Sequence, residues 1–594
     1  MKKLIAMLLC LVMIVGLFGA CSTSGNEGTK APDGTEGTKG TEGTKATDGK
    51  DETTAAPGYD FPKSATDGVE LGVLPLVPAG TKATLTLGLP QHINTPDYDT
   101  NLQTLYFEEK TGIDLEFKLY ASTKADYVAE LNAQIAANQT LPDILWYFGL
   151  GADMVSELGN DGYLIDMTPY LEEQTYFFNL AYDKAVEKVG AASVEFDVIT
   201  AGKDPISGEY YGYPTKGFKG TADPYLHIGI NQAWLDALKL KMPTTVDELY
   251  TVLVAFRDQD PNGNGIKDEI PMICNATGYR ADVFSFIINA YVHCNDTQFF
   301  NITDGKVWVP YNTEEYRDAL KYLNKLYEEK LISESCWSID NTEMKALVSG
   351  VNGTSTVGVY GGHSAHVWDT AYESLLDYQH LETLKDETGK GGYAPDYSGV
   401  AGFNTYITKD CKDPVLAFRF LDYMSQDEAQ IIQGNGMIDV NWRYLEPGKF
   451  SVYGEPATID WFNSEQSVVS NNLWHNSTVG LNHGANVTPY DPTTQSPVLA
   501  FRTETNALIR QQDMGNQPAE VARKLLYNAE EQEVYNEYFT IVKDTMTQWR
   551  AEFITGVKDI DSDADWKAYV DALDADGLED LIEVAQSCYT RMKG

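Results

Sequence analysis

Residues 82–148 read KATLTLGLPQHINTPDYDTNLQTLYFEEKTGIDLEFKLYASTKADYVAELNAQIAANQTLPDILWYF. Lys82 to Leu89 alternates as a strand, with Leu85 and Leu87 on one face and Thr84 and Thr86 on the other. Asp99 to Lys110 predicts a helix in which Leu102, Leu105, Tyr106 and Glu109 recur by turns and Gly112 closes the last one. Ile113 to Leu119 alternates again. Lys124 to Asn138 predicts a second helix, with Tyr127, Leu131 and Ile135 four residues apart on one face. Pro142-Asp143 breaks it, and Ile144 to Phe148 reads as a buried strand. Strand, helix, strand, helix, strand implies an α/β sheet with right-handed crossovers. Ligands of such sheets sit beyond the carboxyl ends of the strands, so Asn94 to Tyr98 and Trp146 to Gly149 are expected as cleft-side loops.

Upstream of this unit the chain opens with Lys2 and Lys3, an apolar run from Leu4 to Leu17, then Phe18, Gly19, Ala20 and Cys21. A basic start, a short apolar segment and small residues describe a secretory leader over residues 1–20, and the run is too short to span a bilayer comfortably. Gly-Ala-Cys resembles the lipobox of bacterial lipoproteins, with Phe18 where that motif usually carries Leu. The resemblance implies that Cys21 is lipidated and becomes the mature N-terminus. Residues 21–58 are mostly Gly, Thr, Lys, Glu and Asp, with Glu-Gly-Thr-Lys at 27–30, 36–39 and 42–45. Nothing there could anchor a core, so the stretch is expected to be a disordered tether.

Residues 59–594 are too long for one core and predict two large lobes. Aromatic residues make up 11% of the chain and include 36 Tyr and 10 Trp, as a folded body requires. A formal net charge of −43 disfavours nucleic acid and phosphate ligands and is compatible with neutral ligands and bound divalent cations. Beyond Cys10 and Cys21, Cys274, Cys294, Cys336, Cys411 and Cys588 have no short-range framework, which argues against a disulfide scaffold.

Longer phrases carry a family resemblance. FEEKTGIDLEF at 107–117, LNAQIAANQTLPDIL at 131–145 and DGYLIDMTPYL at 161–171 look like the first lobe of extracellular solute-binding proteins of family 1. GEYYGYPT at 208–215 and INQAWLDALKLKMPTTVDEL at 230–249 follow, with Asn231-Gln232 where the family usually has Arg-Lys. Thr245 and Glu248 have the spacing of a capping box ahead of Leu249, Leu253 and Phe256. Tyr316 to Leu331 reads like the long second-lobe helix. Asp413 and Pro414 start a helix resembling the family's Pro-x-x-A-x-x-x-L-D-Y element. Arg550 to Gly556, Asp565-Trp566, Tyr569-Val570 and Tyr589 match its C-terminal signature, whereas GNGMIDVNW at 434–442 departs from its usual phrase. The resemblance implies two interleaved α/β lobes within 59–594, each a β-sheet flanked by helices, joined by a hinge with a carbohydrate in the cleft. It also implies an ABC importer as partner, a monomer, and a lipid-anchored position on the outer face of a bacterial membrane.

DQDPNGNGIKDE at 258–269 is the sharpest local motif. Asp260, Asn262 and Asn264 alternate as a tight loop around one cation requires, Gly265 permits the turn, and Ile266 offers its backbone carbonyl. Asp268 and Glu269 complete the anionic end, matching the oxygen-only donor set that Ca²⁺ prefers. Pro271 occupies the twelfth position of an EF-hand loop counted from Asp260, so Glu269 is expected to replace the usual Glu. Relatives in the family carry a similar loop holding a structural calcium.

Sugar sites combine aromatic plates with polar groups that hydrogen-bond hydroxyls. Trp146, Tyr225, Tyr360, Trp368, Trp442 and Trp474 lie outside apolar helical stripes and are expected as plates. His227, His363 and Asn404 are expected as hydrogen-bonding groups, whereas Trp234, Trp549 and Trp566 sit in helical patterns and should pack. His363 and His366 lack a third ligand for zinc. No nucleophile elbow, Walker loop or dinucleotide fingerprint occurs, and with 87 acidic residues carboxylate pairs arise by chance. No catalytic residues are therefore assigned. A secreted glycoside hydrolase and a surface sensory or adhesion lipoprotein are the competing readings.

Overall fold

The computed structural model describes residues 59–593 apart from 195–197, 216–227, 277–280, 297–298, 351–352, 363–375, 395–401, 463–467, 476–477, 485–486, 492, 495–499 and most of 501–524. The predicted leader and tether, with Cys21, lie outside the described residues, as do Tyr225, His227, His363, His366 and Trp368.

The chain first lays down β1 (Thr84–Pro90), α1 (Leu102–Thr111), β2 (Asp114–Tyr120), α2 (Lys124–Ala136) and β3 (Ile144–Leu145). It continues with α3 (Ala152–Asn160), α4 (Phe177–Val189) and β4 (Tyr213–Thr215). A second lobe then forms from β5 (Ile228–Asn231), α5 (Val246–Asp258), β6 (Ile270–Ile273), α6 (Val283–Ile288), the hairpin β7 (Asn301–Thr303) and β8 (Lys306–Trp308), α7 (Glu314–Glu328), β9 (Val357–Gly361) and β10 (Tyr378–His380). The chain returns to the first lobe for β11 (Gly402–Ile407), α8 (Pro414–Tyr423) and the pair β12 (Trp442–Tyr444) and β13 (Ile459–Trp461). It finishes on the second lobe with α9 (Ala529–Ile554), α10 (Asp563–Ala575) and α11 (Leu578–Lys593).

The first sheet has the order β2-β1-β3-β11-β4, and the second β10-β5-β9-β6. β1 pairs parallel with both β2 and β3, as right-handed crossovers demand, whereas β11 enters antiparallel between β3 and β4. Leu85, Leu87 and Leu89 are buried together, which is the face their alternation assigns. Each lobe has its own apolar core, and the C-terminal Val542, Met546, Trp566, Tyr569 and Leu581 belong to the second lobe's. Among the described residues no helix is long and apolar enough to cross a membrane.

Caps follow the sequence signals. Asp413 accepts from Leu416 N at 3.0 Å with Pro414 in the first turn of α8. Thr245 accepts from Glu248 N, while Glu248 turns back onto Thr244 rather than completing the box. The expected apolar face of α1 is corrected. Leu102 and Leu105 are exposed, and Gln103, Thr104 and Phe107 face inward. The segment 471–474 explains the reversal: Asn101 Nδ2 donates to Leu473 O at 3.1 Å, and Gln103 Oε1 accepts from Trp474 N at 3.0 Å. Polar side chains with buried partners win this face over leucines without them.

Candidate functional site

The carboxyl ends of β1, β2 and β3 open into residues 91–98, 121–123 and 146–151, and β6 and β9 end side by side at Ile273 and Gly361. These rims define the ligand-binding edges of the two sheets. The lobes touch beside them: Asn536 of α9 donates through Nδ2 to Asp153 Oδ2 of α3 at 3.0 Å. The chain leaves the first sheet after Thr215, returns to it at Gly402 and ends on the second lobe from Ala529, so the two lobes are interleaved.

Burial corrects several expected plates. Trp146, Trp442 and Trp474 are 1%, 0% and 1% exposed and belong to the first lobe's core. Trp474 meets Trp146, Phe107 and Phe117 edge-on, with centroids 5.4, 5.7 and 5.5 Å away, and its Nε1 donates to Thr104 Oγ1 at 2.8 Å. Trp442 Nε1 donates to Gly436 O at 2.8 Å. A partner for the indole N–H of Trp442 and of Trp474 is what lets these two large rings sit fully inside. Tyr360 is buried in the second lobe, edge-on to Tyr378 at 5.2 Å and lying over Gly229, where any Cβ would collide with its ring. Asn404 is half-buried on β11. Trp234 and Trp566 are core residues, and Trp549 packs against that core, as expected.

What the described rim of the first lobe presents instead are the sequence neighbours of these tryptophans. Tyr147, next to Trp146, is half-buried with φ 54°, and its N–H donates to Thr405 Oγ1 at 3.2 Å. A left-handed tyrosine held by a neighbouring strand is the kind of stored strain found at ligand sites. His475, next to Trp474, has φ 58° and stacks on His92, with centroids 5.3 Å apart and planes inclined by 11°. Ile93 beside them is 87% exposed. Sequence reasoning missed Tyr147, His92 and His475. No local period marks them: Leu145, Trp146 and Phe148 are all buried, as are Leu473 and Trp474, and Tyr147 and His475 are turned out by left-handed backbone conformations.

The predicted calcium loop closes on itself. Asp260 accepts from the amides of Asn264 at 3.1 Å and Gly265 at 3.0 Å, Asn262 Oδ1 accepts from Asn264 N, and Asn264 Oδ1 accepts from Ile266 N at 2.6 Å. The amide nitrogens of Asn262 and Asn264 reach Asp268 at 3.3 and 3.1 Å. Gly263 and Gly265 both have positive φ, as this tight winding needs. Glu269 is the informative residue. Both its carboxylate oxygens are buried and lack a hydrogen-bond partner. Burial first, then the nearby Asp268 and Asp260, push its pKa above the ordinary glutamate value. A buried carboxylate with no cation or side-chain donor, only the nearby backbone amides of Glu269 and Asp268, beside two more carboxylates is a deficit of positive charge, which one hard cation would offset. Among the described residues no group of three His, Cys, Asp or Glu is positioned to hold a metal, and two of this loop's oxygen donors are the amides of Asn262 and Asn264. Those amides would turn their oxygens inward on binding, and by chemistry the donor set fits calcium.

Two cavities lie within single lobes. One of about 420 Å³ sits in the first lobe between Tyr182, Lys203, Tyr210 and Phe403. Another of about 1060 Å³ sits in the second between Tyr291, His293, Trp308 and Tyr393.

Comparison with known proteins agrees with this architecture. The family model of bacterial extracellular solute-binding proteins matches residues 90–431. Lipoprotein LipO of Bacillus subtilis is 26% identical over 387 residues, covering 63% of this chain and 70% of LipO. The fructooligosaccharide ABC transporter substrate-binding protein FusA of Streptococcus pneumoniae is 28% identical over 272 residues, covering 45% of this chain and 47% of FusA. The crystal structure of a FusA EF-hand mutant in complex with fructo-nystose superposes with a TM-score of 0.66 at 21% identity, covering 86% of this chain and 99% of that one. With two sheets, each with its own helices and core, and a family match through both lobes, this chain belongs to the bacterial extracellular solute-binding proteins.

Proposed function

We propose that this protein captures an oligosaccharide between its lobes and delivers it to the permease of an ABC importer. Residues 1–20 act as the leader, 21–58 as the tether, and Cys21 carries the diacylglyceryl anchor, with 59–594 as the binding body on the outer face of the membrane. One calcium ion held by Asp260, Asn262, Asn264, Ile266 O, Asp268 and Glu269 braces the second lobe. It sits at the start of β6, the end of that strand away from the binding rim. Tyr225, His227, His363 and Trp368 remain proposed ligand contacts, joined by Tyr147 and His92. The observation that carries this reading is the pair of sheets whose carboxyl ends form the rims of one cleft, with polar and aromatic loops on the first. The names of FusA and its fructo-nystose complex support carbohydrate as the ligand class.

The test is a thermal-shift panel of neutral and acidic oligosaccharides, followed by small-angle scattering with any sugar that raises the melting temperature. A captured sugar should compact the protein, because it favours the closed state through contacts with both lobes. The sugar should be recovered unchanged. Turnover would replace transport with the hydrolase reading, and binding without compaction would favour a surface lipoprotein that does not close.

A further inference from the structure

The stacked histidines of the first-lobe rim have assignable tautomers. Asn94 N–H donates to His92 Nδ1 at 3.2 Å, so that nitrogen bears a lone pair and the neutral ring carries its proton on Nε2. Thr95 Oγ1 lies 2.8 Å from Trp474 O, an oxygen that only accepts, so the single hydroxyl proton is spent there. The 3.0 Å contact between Thr95 Oγ1 and His475 Nδ1 therefore has the ring as donor. The two imidazoles are thus held in opposite tautomers, each fixed by the 92–95 turn. His475 adopts a left-handed backbone to lie flat on its partner.

Charge on His92 is disfavoured twice over. A proton on its Nδ1 would face the Asn94 N–H, setting donor against donor. Burial and the facing His475 also hold the His92 pKa below the ordinary imidazole value. The other titratable groups on this turn do not counter that. Asp97 accepts from the amides of Asp99 and Thr100 and from the Thr100 hydroxyl, and the Tyr98 hydroxyl accepts from His92 N at 3.1 Å. The ring is half-buried, and Nε2 is the ring nitrogen that the Asn94 contact leaves to donate.

We propose that His92 is a ligand-binding residue that donates from Nε2–H to a hydroxyl or ring oxygen of a neutral oligosaccharide, with His475 as the positioning residue that keeps it uncharged and oriented. This rests on reading the cleft as a carbohydrate site. It narrows that reading to neutral chains, since an uncharged donor in an acidic protein gives a uronate carboxylate nothing to pair with. It also makes capture acid-sensitive, because protonating His92 breaks the Asn94 contact that aims the ring.

The experiment is calorimetric titration of the calcium-loaded mature chain with kestose, nystose, maltotetraose, lacto-N-tetraose and tetragalacturonate at about pH 7.5 and about pH 5.5. The wild type should bind a neutral member and lose about fivefold or more in affinity at the lower pH. H92F keeps the stack but not the donor and should weaken binding about tenfold, the worth of one hydrogen bond. H92Q, whose amide restores a donor, should recover most of that loss and show a flat pH response. Nitrogen-15 spectra should report the Nε2–H tautomer at His92 whether or not a variant folds well. A neutral sugar bound equally by H92F, a preference for tetragalacturonate, or an Nδ1–H tautomer at His92 would each overturn the proposal while leaving carbohydrate capture standing. Binding of none of the sugars would overturn capture itself, and this proposal with it.

Discussion

Removing calcium should destabilise the second lobe by an amount that follows from Glu269. Its two oxygens are buried without side-chain donors, and its pKa is raised by burial and by Asp268 and Asp260. A carboxylate raised in the folded state contributes stability below its unfolded pKa and loses it as pH rises through the folded value. At neutral pH the cation-free lobe therefore carries an uncompensated charge, and calcium offsets it. Binding only to the native state adds RT ln(1 + [Ca²⁺]/Kd), about 4 kcal/mol at a thousandfold excess over Kd. For a lobe of this size that corresponds to a melting-temperature difference on the order of 5–10 °C. The assay is calorimetric melting in about 1 mM calcium against excess chelator, from about pH 4.5 upward, where the gap should widen as Glu269 ionises. E269Q should close the gap from both sides, lowering the calcium-loaded melting temperature by removing a ligand and raising the chelated one by removing the uncompensated charge. Equal melting temperatures with and without calcium, or a gap that E269Q leaves intact, would refute both the ion and the role given to Glu269.

Trp442→Ala should cost about 3–5 kcal/mol of first-lobe stability in urea unfolding, the usual range for deleting a buried tryptophan, and leave sugar affinity nearly unchanged. A loss of affinity without loss of stability would return that ring to the cleft. Asp427 is held down at about 2 by the His483 side chain at 2.7 Å and Lys184 at 2.6 Å. Burial works against this shift. Its folded pKa lies below the unfolded value, so the contribution is present above about pH 4 and lost on acidification toward about pH 2. D427N should accordingly flatten the acid limb of the stability curve, and an unchanged limb would show the pairs are worth nothing. Mass spectrometry of protein from the producing cell should find a diacylglyceryl group on Cys21; an unmodified N-terminus elsewhere would remove the anchor.

The first lobe was legible wherever local pattern and tertiary packing agree. The alternation of Leu85, Leu87 and Leu89 and the spacing of Tyr127 and Leu131 placed β1 and α2 within a few residues of where they lie. The entry of β11 between β3 and β4 was not legible, because Tyr406 pairs with Leu145 across a span that no local period records. The rim loops were found and their facing residues were not. Trp146 and Trp474 look like sugar plates in isolation, yet both are held inside by rings from distant segments, and Trp474 also by the Thr104 hydroxyl. The calcium loop was legible as a donor pattern. The buried, unpartnered state of Glu269 depends on its neighbours in space and is not written in the motif.

The order in which the chain visits its lobes bears on how such a molecule is made. The central strand β11 arrives after the second sheet is complete, and helices α9 to α11 close the second core with the last residues of the chain. Val307 receives its side-chain partner from Gln586. The first lobe waits for the segments up to Leu481, and the second for the last helices of the chain, so both cores close late. A product that stops before α9 to α11 lacks the helices that close the second core, so that core stays open to solvent and to proteolysis even where the first lobe is complete.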